Sequence, residues 1–378
     1  MSDSAASAFI LREHGFNVVG LFMMNWNPYI EAVGGHCSES ELSAVRSLCG
    51  PKGLDVPLKL IEFDGDYFNA VFVDFIESLS AGFCTPNPDS HCARRIAFGE
   101  LHRFADTLNL DYVATGHYAS TQWTETGPLL KQSAERRYDQ SYFLSRIDRE
   151  ALYRHLFPIG AHFKSKQQEI RSVVARHFGS KFAAKRSSTG LCYVDGVDGS
   201  FRSFMGQFVD RNVGVIVDAF GRTLGLHNGL WLWTIGQRLK ADEPEDGRHR
   251  FNRLAFTLYI ARNVALYVLD KDAVRNELVV ATECHSKLNN EHIVGWKWNW
   301  LCDQGQRQSN GDIVGRFRFR DKDALIPGVV RFDRERPDFG HIHLTQGAVR
   351  AATPGQVVAM YDDDDICICS ALIHSVRR

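Results

Sequence analysis

The sequence predicts an α/β first domain on a parallel sheet, a small central domain and a closing β-barrel. Three observations carry this. Over roughly the first 120 residues, short apolar runs alternate with helix-like stretches, the pattern of repeated βαβ units with helices on both faces of a sheet. From about Gly199 that alternation stops. From about Glu277 onward, short strand-like runs are separated by turn residues, the spacing of a small barrel.

The elements follow in order. Ala5 to His14 is helical in composition, and Val18 to Met23 is a short apolar run suited to a buried parallel strand. Glu39 to Leu48 reads as a second helix capped by Ser38, Val56 to Phe63 as a second strand and Tyr67 to Leu79 as a third helix. A helix is expected from Ile96 to Leu108, where Ile96, Phe98, Leu101 and Phe104 recur at roughly helical spacing, then a strand Tyr112 to Thr115 running into Gly116-His117-Tyr118. Ligands of such sheets bind beyond the carboxyl ends of the strands, where Met23, Gly116 and His117 fall. Domains are expected over 1–198, 199–275 and 276–378, with a mobile insertion between Ala241 and Arg253.

With 378 residues, 44% hydrophobic and 24% charged, the chain has room for two or three cored domains. A formal net charge of −1 means that any nucleic-acid surface is a local patch. No apolar run reaches membrane-spanning length, and no secretory or Arg-rich amphipathic leader stands at the start of the sequence. The nine cysteines are odd in number and scattered, which argues against a disulfide framework, and no C-x-x-C pair suggests a zinc ribbon. Cys367 and Cys369 alternate with Ile366 and Ile368, so a strand showing both thiols on one face is expected. In Gly315 to Arg320, Arg316, Arg318 and Arg320 alternate with Phe317 and Phe319, which reads either as a solvated basic face over a core or as a phosphate-contacting edge. Asp362 to Asp365 reads as an exposed acidic hairpin tip.

The stretch richest in chemistry is Thr85-Pro86-Asn87-Pro88-Asp89-Ser90-His91-Cys92-Ala93-Arg94-Arg95. Its prolines keep its start out of a helix interior, and it places Cys92 at the mouth of the Ile96 to Leu108 helix beside a histidine and two arginines, surroundings that favour thiolate. The other reading is a proline-rich turn with a structural cysteine. T-P-N-P-D-x-x-C followed by a basic pair resembles the signature of the tRNA-specific 2-thiouridylases, bacterial and mitochondrial. Gly20 to Trp26 and Ala114 to Tyr118 match that family in order and spacing, as do Tyr138 to Leu144 (its K-D-Q-S-Y-F-L, with tyrosine for lysine) and Leu156-Phe157-Pro158-Ile159-Gly160. So do Ser188-Thr189-Gly190-Leu191-Cys192 (Ser187 replacing an aspartate), Thr234 to Arg238 and Thr353-Pro354-Gly355-Gln356.

The resemblance implies a PP-loop ATP pyrophosphatase fold and ATP-dependent 2-thiolation of the wobble uridine of tRNA. Cys192 would carry a persulfide, Cys92 would complete the exchange, and Asp89 would handle a proton. Asp3 and Ser4 align with the end of the family's S-G-G-x-D-S phosphate loop, and Met23 and Gly116 would line the adenosine. Asn87, Pro88 and Asp89 would frame the flipped uridine, while His117, Tyr138, Asp139, Gln140, Arg318, Phe319 and Gln356 would contact tRNA. Implied partners are tRNA and a sulfur-donor protein, with ATP and Mg²⁺, no resident metal and no membrane. The compartment would be mitochondrial in a eukaryote and cytoplasmic in a bacterium. Met1-Ser2-Asp3-Ser4 stands where the family has a first strand and the rest of the glycine loop, so an N-terminally incomplete active enzyme is expected, with low activity for the 378-residue chain itself. The rivals are a catalytically impaired tRNA-binding relative and a different PP-loop enzyme that needs no cysteine pair.

Overall fold

A computed structural model describes residues 2–26, 39–160, 172, 175–176, 201–239, 249–251, 264–303, 306–307 and 311–376. The first domain opens with helix Ser2–Glu13, followed by β1 (Gly20–Met24), helix Glu39–Cys49 and β2 (Leu58–Glu62). β1 and β2 pair in parallel, Gly20 opposite Leu58 and Met24 opposite Glu62. A helical rod over 64–80 follows, in which Phe68–Phe72 is wound as a π turn. β3 (Val113–Ala114) pairs in parallel with β6 (His155–Leu156), and between them in sequence lies the antiparallel hairpin β4 (Ala119–Thr124) and β5 (Gly127–Gln132).

The single parallel sheet expected from the βαβ pattern is, among the described residues, two separate parallel pairs. All five residues of β1 are half-buried, whereas a strand flanked and covered on both sides is buried throughout. The helices still enclose an aromatic core: Trp26 and Phe72 meet edge to face at 5.0 Å, and Phe72 meets Phe208 at 4.9 Å. Helix Phe201–Met205, assigned by sequence to the central domain, sinks Phe204 and Met205 into this same core.

The central domain is a six-stranded sheet in the order β10-β8-β7-β12-β11-β9, formed by β7 (Gly214–Asp218), β8 (Thr223–His227), β9 (Arg238–Leu239), β10 (His249–Phe251), β11 (Leu266–Asp272) and β12 (Glu277–Thr282). Two expectations change here. A domain boundary at 275/276 would cut β12 from its partners β7 and β11, so the junction falls after Thr282. Residues 249–251 of the expected insertion form the edge strand β10; the rest of it lies outside the described residues.

The last domain begins with the short strand β13 (Asn289–Asn290) and closes into a barrel. Its strands are β14 (His292–Trp300), β15 (Gln306–Arg307), β16 (Ile313–Arg318), β17 (Ile326–Phe332), β18 (Phe339–Leu344), β19 (Val349–Arg350), β20 (Val357–Tyr361) and β21 (Cys367–Val376). The ring runs β16-β17-β18-β14-β21-β20 and back to β16, which leaves no open edge in that ring. β20 is buried at every residue because one face lines the barrel while Val357, Ala359 and Tyr361 pack outward onto Leu130, Leu144 and Phe98 of the first domain. A bulge at Ile368 interrupts the expected alternation in β21. Cys367 packs toward the first domain and Cys369 into the barrel, both buried. At the acidic tip Asp363 and Asp364 are exposed, but Asp365 is half-buried and binds Arg136 and Arg316.

Candidate active site

Asn87 is extended (φ −113°, ψ 91°) and its side-chain oxygen accepts the Ser90 N–H at 3.1 Å, so it caps a helix that Pro88 opens. Proline at a first helical turn starts the helix rather than breaking it. The helix therefore begins eight residues before Ile96, and Cys92 sits in its second turn rather than at its mouth. It continues through a π-wound stretch, Ala93–Glu100, to Leu101–Thr107. Cys92 is half-buried. Burial raises the Asp89 carboxyl above its usual range, which suits a group that takes and returns a proton. Burial lowers the neighbouring His91 imidazole; the nearby Asp74 opposes this, and Arg146, Arg95 and Lys297 add to it. Cations thus gather around His91 from the first and last domains.

The loop before this helix is held by all three domains. Lys271 of the central domain donates to the Cys84 carbonyl at 3.0 Å and to the Trp233 carbonyl at 3.2 Å; burial brings its pKa down to about 8. From the last domain, the Pro354 carbonyl accepts the Thr85 N–H at 2.9 Å and Gln356 Nε2 donates to the Thr85 carbonyl at 2.7 Å. Gly355 has φ +90°, and a Cβ there would lie 2.9 Å from the Thr85 carbonyl oxygen, so only glycine fits this crossing. Gln356 is accordingly occupied by the protein's own loop.

A second group gathers at the carboxyl end of β3. A Cβ on Gly116 would lie 2.6 Å from backbone atoms of Asp3 and Ser4, so the start of the first helix lies directly against this strand end. Tyr118 donates its hydroxyl to Asp3 Oδ1 at 3.1 Å, and Ser7 donates to the Thr115 carbonyl at 3.2 Å. Gln140 holds Tyr118 twice: its side-chain oxygen accepts the Tyr118 N–H at 3.0 Å, and its own N–H reaches the Tyr118 carbonyl at 2.8 Å. The Tyr138 ring lies 5.7 Å from that of Tyr118. Asp3, Ser4, Gly116, His117, Tyr138 and Gln140 are thereby brought together. A helix start at a strand end offers N–H donors to an anion, which fits nucleotide phosphates. Phe98, six residues beyond Cys92 on its helix, lies 6.0 Å from the His117 ring and joins the two groups. Met23 is half-buried near the end of β1, packed against the aromatic core.

For Asp139 and Arg318 the expectation of direct tRNA contact does not describe this structure. They are buried and turned to each other: Arg318 Nη1 donates to Asp139 Oδ2 at 2.7 Å. Asp139 also accepts from the Ser133 and Ser141 N–H groups and the Ser141 hydroxyl. The Arg318 guanidinium lies 5.3 Å from the Tyr361 ring. Neither reading of the arginine face fits as stated, since Arg318 is neither solvated nor on an edge; an alternating strand cannot reveal that its outer face meets another domain. Phe319 is buried too, at the wall of a cavity of about 490 Å³ between the central and last domains, lined also by Thr234, Gln237, Arg320 and Gln356.

Cys192 and Ser187 lie outside the described residues, so the expected approach of Cys192 to Cys92 is not described. Among the described residues no cluster of three or more His, Cys, Asp or Glu is placed to hold a metal, and no helix is long and apolar enough to cross a membrane. Sequence reasoning missed His155, Thr115 and Lys271. A histidine leading directly into an apolar run, as in His155-Leu156-Phe157, is the signal that could have flagged the first.

The fold and the two groups define a nucleotide-binding α/β domain followed by two β-domains, and three family profiles match in that order. They are described as a tRNA methyl transferase HUP domain over residues 2–196, a tRNA methyl transferase PRC-barrel domain over 202–282 and an aminomethyltransferase beta-barrel domain over 290–373. The tRNA-specific 2-thiouridylase MnmA of Limosilactobacillus fermentum is 32% identical over 378 residues, covering 98% of this chain and 92% of its own. The mitochondrial tRNA-specific 2-thiouridylase 1 of Drosophila melanogaster is 33% identical over 389 residues, covering 99% and 92%. The Legionella pneumophila MnmA is 31% identical over 393 residues, covering 100% and 96%. The chain belongs to the tRNA-specific 2-thiouridylase family.

Proposed function

We propose that this protein replaces the C2 oxygen of a tRNA wobble uridine by sulfur, with ATP and a persulfide as co-substrates. Oxide is too poor a leaving group to be displaced directly. In this reading ATP adenylates the oxygen and releases pyrophosphate. The outer sulfur of a Cys192 persulfide then attacks C2 and AMP departs. Cys92 thiolate next attacks the Cys192 sulfur, which breaks the S–S bond, releases the 2-thiouridine and leaves a Cys92–Cys192 disulfide for an external thiol to reduce. Asp3, Ser4 and Gly116 would hold the phosphates and adenosine, with Mg²⁺ accompanying ATP and Met23 completing the wall. Asn87, Pro88 and Asp89 would frame the uridine, and Asp89 would accept and return a proton. His117, Tyr138 and Gln140 would face the tRNA, Phe319 and Gln356 would border it, and a sulfur-donor protein would recharge Cys192.

The observation that supports this most is that the Asp3–Gly116 junction and the Cys92 helix meet through one aromatic side chain, Phe98, so a nucleotide and a thiol could serve one reaction. The test is 2-thiouridine formation in tRNA with ATP and a persulfide donor, followed by nucleoside mass analysis. Activity is expected to require both cysteines: Cys92→Ser and Cys192→Ser should each lower it at least about a hundredfold, with tRNA affinity unchanged. Thiolation that survives Cys192→Ser would remove the persulfide carrier and this mechanism.

A further inference from the structure

Behind His117 runs an unbroken line of hydrogen bonds that the proposed chemistry does not use. Thr115 Oγ1 lies 2.8 Å from His117 Nδ1 and 2.9 Å from His155 Nε2, and His155 Nδ1 lies 3.0 Å from His102 Nε2. Three separate elements supply it: the end of β3, the start of β6 and the helix Leu101–Thr107. Aromatic rings sheathe it. Phe98 lies 4.1 Å from the His155 ring, 6.1 Å from His102 and 6.0 Å from His117, and Phe157 lies 4.8 Å from His155.

A neutral imidazole has one N–H and one bare nitrogen. The line can therefore be fully bonded in only two ways. If His102 Nε2 donates, then His155 donates to Thr115, the hydroxyl donates to His117 Nδ1, and His117 Nε2 carries a hydrogen. If every bond is reversed, His117 Nε2 is a bare acceptor. A mixed pattern, with Thr115 accepting from both rings, strands its hydroxyl proton, because no other partner for that oxygen exists among the described residues. Nor has His117 Nε2 a partner among them.

We propose that His102, His155 and Thr115 are positioning residues that form a tautomer relay, setting whether His117 Nε2 donates to or accepts from the substrate. This rests on the function proposed above for what His117 meets, but the relay itself rests on the three bonds. The ends of the line differ in a way that gives it a direction. His102 is half-buried and faces charged groups, the paired Arg154 and Asp106. His155 is faced only by the two other imidazoles, Thr115 and aromatic rings, and His117 by Thr115 and Phe98. Burial lowers all three imidazoles, His155 well below its ordinary value and His117 down to about 4. A proton added at His102 makes both its nitrogens donors, which selects the first pattern and makes His117 Nε2 a donor. Loss of that proton permits the second.

The experiment uses the full chain with ¹⁵N-labelled histidine. The tautomer of His117 is read from its ring nitrogen shifts as pH is lowered, beside the pH profile of 2-thiouridine formation. In the unaltered protein the His117 tautomer is expected to shift toward Nε2–H with the His102 titration. In Thr115→Val, which keeps the side-chain shape, His117 should no longer follow His102, and kcat should fall at least about tenfold and lose that inflection while KM for tRNA stays within about twofold. His102→Gln, with an amide N–H that donates at every pH, should hold the Nε2–H form throughout. If Thr115→Val leaves both the tautomer response and the pH profile unchanged, the relay is overturned. If the unaltered protein makes no 2-thiouridine but His117 still follows His102, the relay stands and the proposed reaction falls.

Discussion

Two ionisable sites, one a single histidine and one an ion pair, carry consequences of their own. Burial brings the His117 pKa down to about 4. An unfolded imidazole takes its proton near pH 6.5, so between about 6.5 and 4 the unfolded chain binds more protons than the fold. The stability from His117 is fully present above 6.5 and is lost as pH falls toward 4, by at most about 3 kcal/mol before solvent screening is discounted. Urea midpoints at pH 7 and pH 4.5 should separate by less in His117→Asn than in the unaltered protein. Asp139 and Arg318 give the second case. Asp139→Ala leaves a buried guanidinium unpaired and should cost about 3–5 kcal/mol, whereas Asp139→Ala with Arg318→Met should cost clearly less. A double-mutant cycle by urea denaturation checks this. The sequence placed Asp139 in a motif and Arg318 in a strand, but their partnership spans 179 positions and two domains, which no local pattern encodes.

At the scale of elements, the sequence was most informative where one face of an element meets one core. Helix Glu39–Cys49 and strand Leu58–Glu62 fall within three residues of their expected bounds. It was least informative where local rules have two outcomes. Pro88 could end a turn or open a helix, and only the Asn87 cap decides. The hairpin β4–β5 was not anticipated, although Glu125-Thr126-Gly127 is turn-like, and the π-wound stretches leave no periodic signature. Of the candidate site, the motifs located the helix of Cys92 and the Asp3–Gly116 junction, but not the clamp on the loop before the helix, whose lysine comes from a different domain. One motif glycine has a sharp reason to be there. A Cβ on Gly160 would fall 1.4 Å from the Ala119 carbonyl oxygen, and the Gly160 carbonyl also accepts from Ala134 N–H and the Ser133 hydroxyl. Gly160→Ala must push β4 away from this turn, and a loss of about 3 kcal/mol or more is expected. Thermal unfolding measures it; an unchanged midpoint would mean that β4 yields without cost.

At the scale of the molecule, the barrel is fastened to the first domain by polar as well as apolar contacts. Arg146 donates to the Lys297 carbonyl at 2.6 Å, Asn299 to the carbonyls of Ser145 and Ile147 at 3.0 and 2.8 Å, and Ser370 to the Ser145 carbonyl at 2.7 Å. With β20 buried on both faces, the barrel packs against the first domain along the length of that strand.

The loop at Cys84–Pro86 is grasped at once by Lys271, Pro354 and Gln356. Three domains thus share one short piece of backbone, and none can shift without disturbing the helix that begins at Pro88. Thermodynamics makes such sharing symmetrical. If RNA held by the outer domains changes the affinity of the first domain for a nucleotide by some factor, the nucleotide must change RNA affinity by the same factor. A non-hydrolysable ATP analogue and tRNA, titrated in either order, should yield one coupling constant. Lys271→Met, which removes the donor from two carbonyls, should bring that constant toward one; an undiminished value would place the communication elsewhere. The clamp would then make nucleotide occupancy a property that the RNA can sense from a distance, before any sulfur has moved.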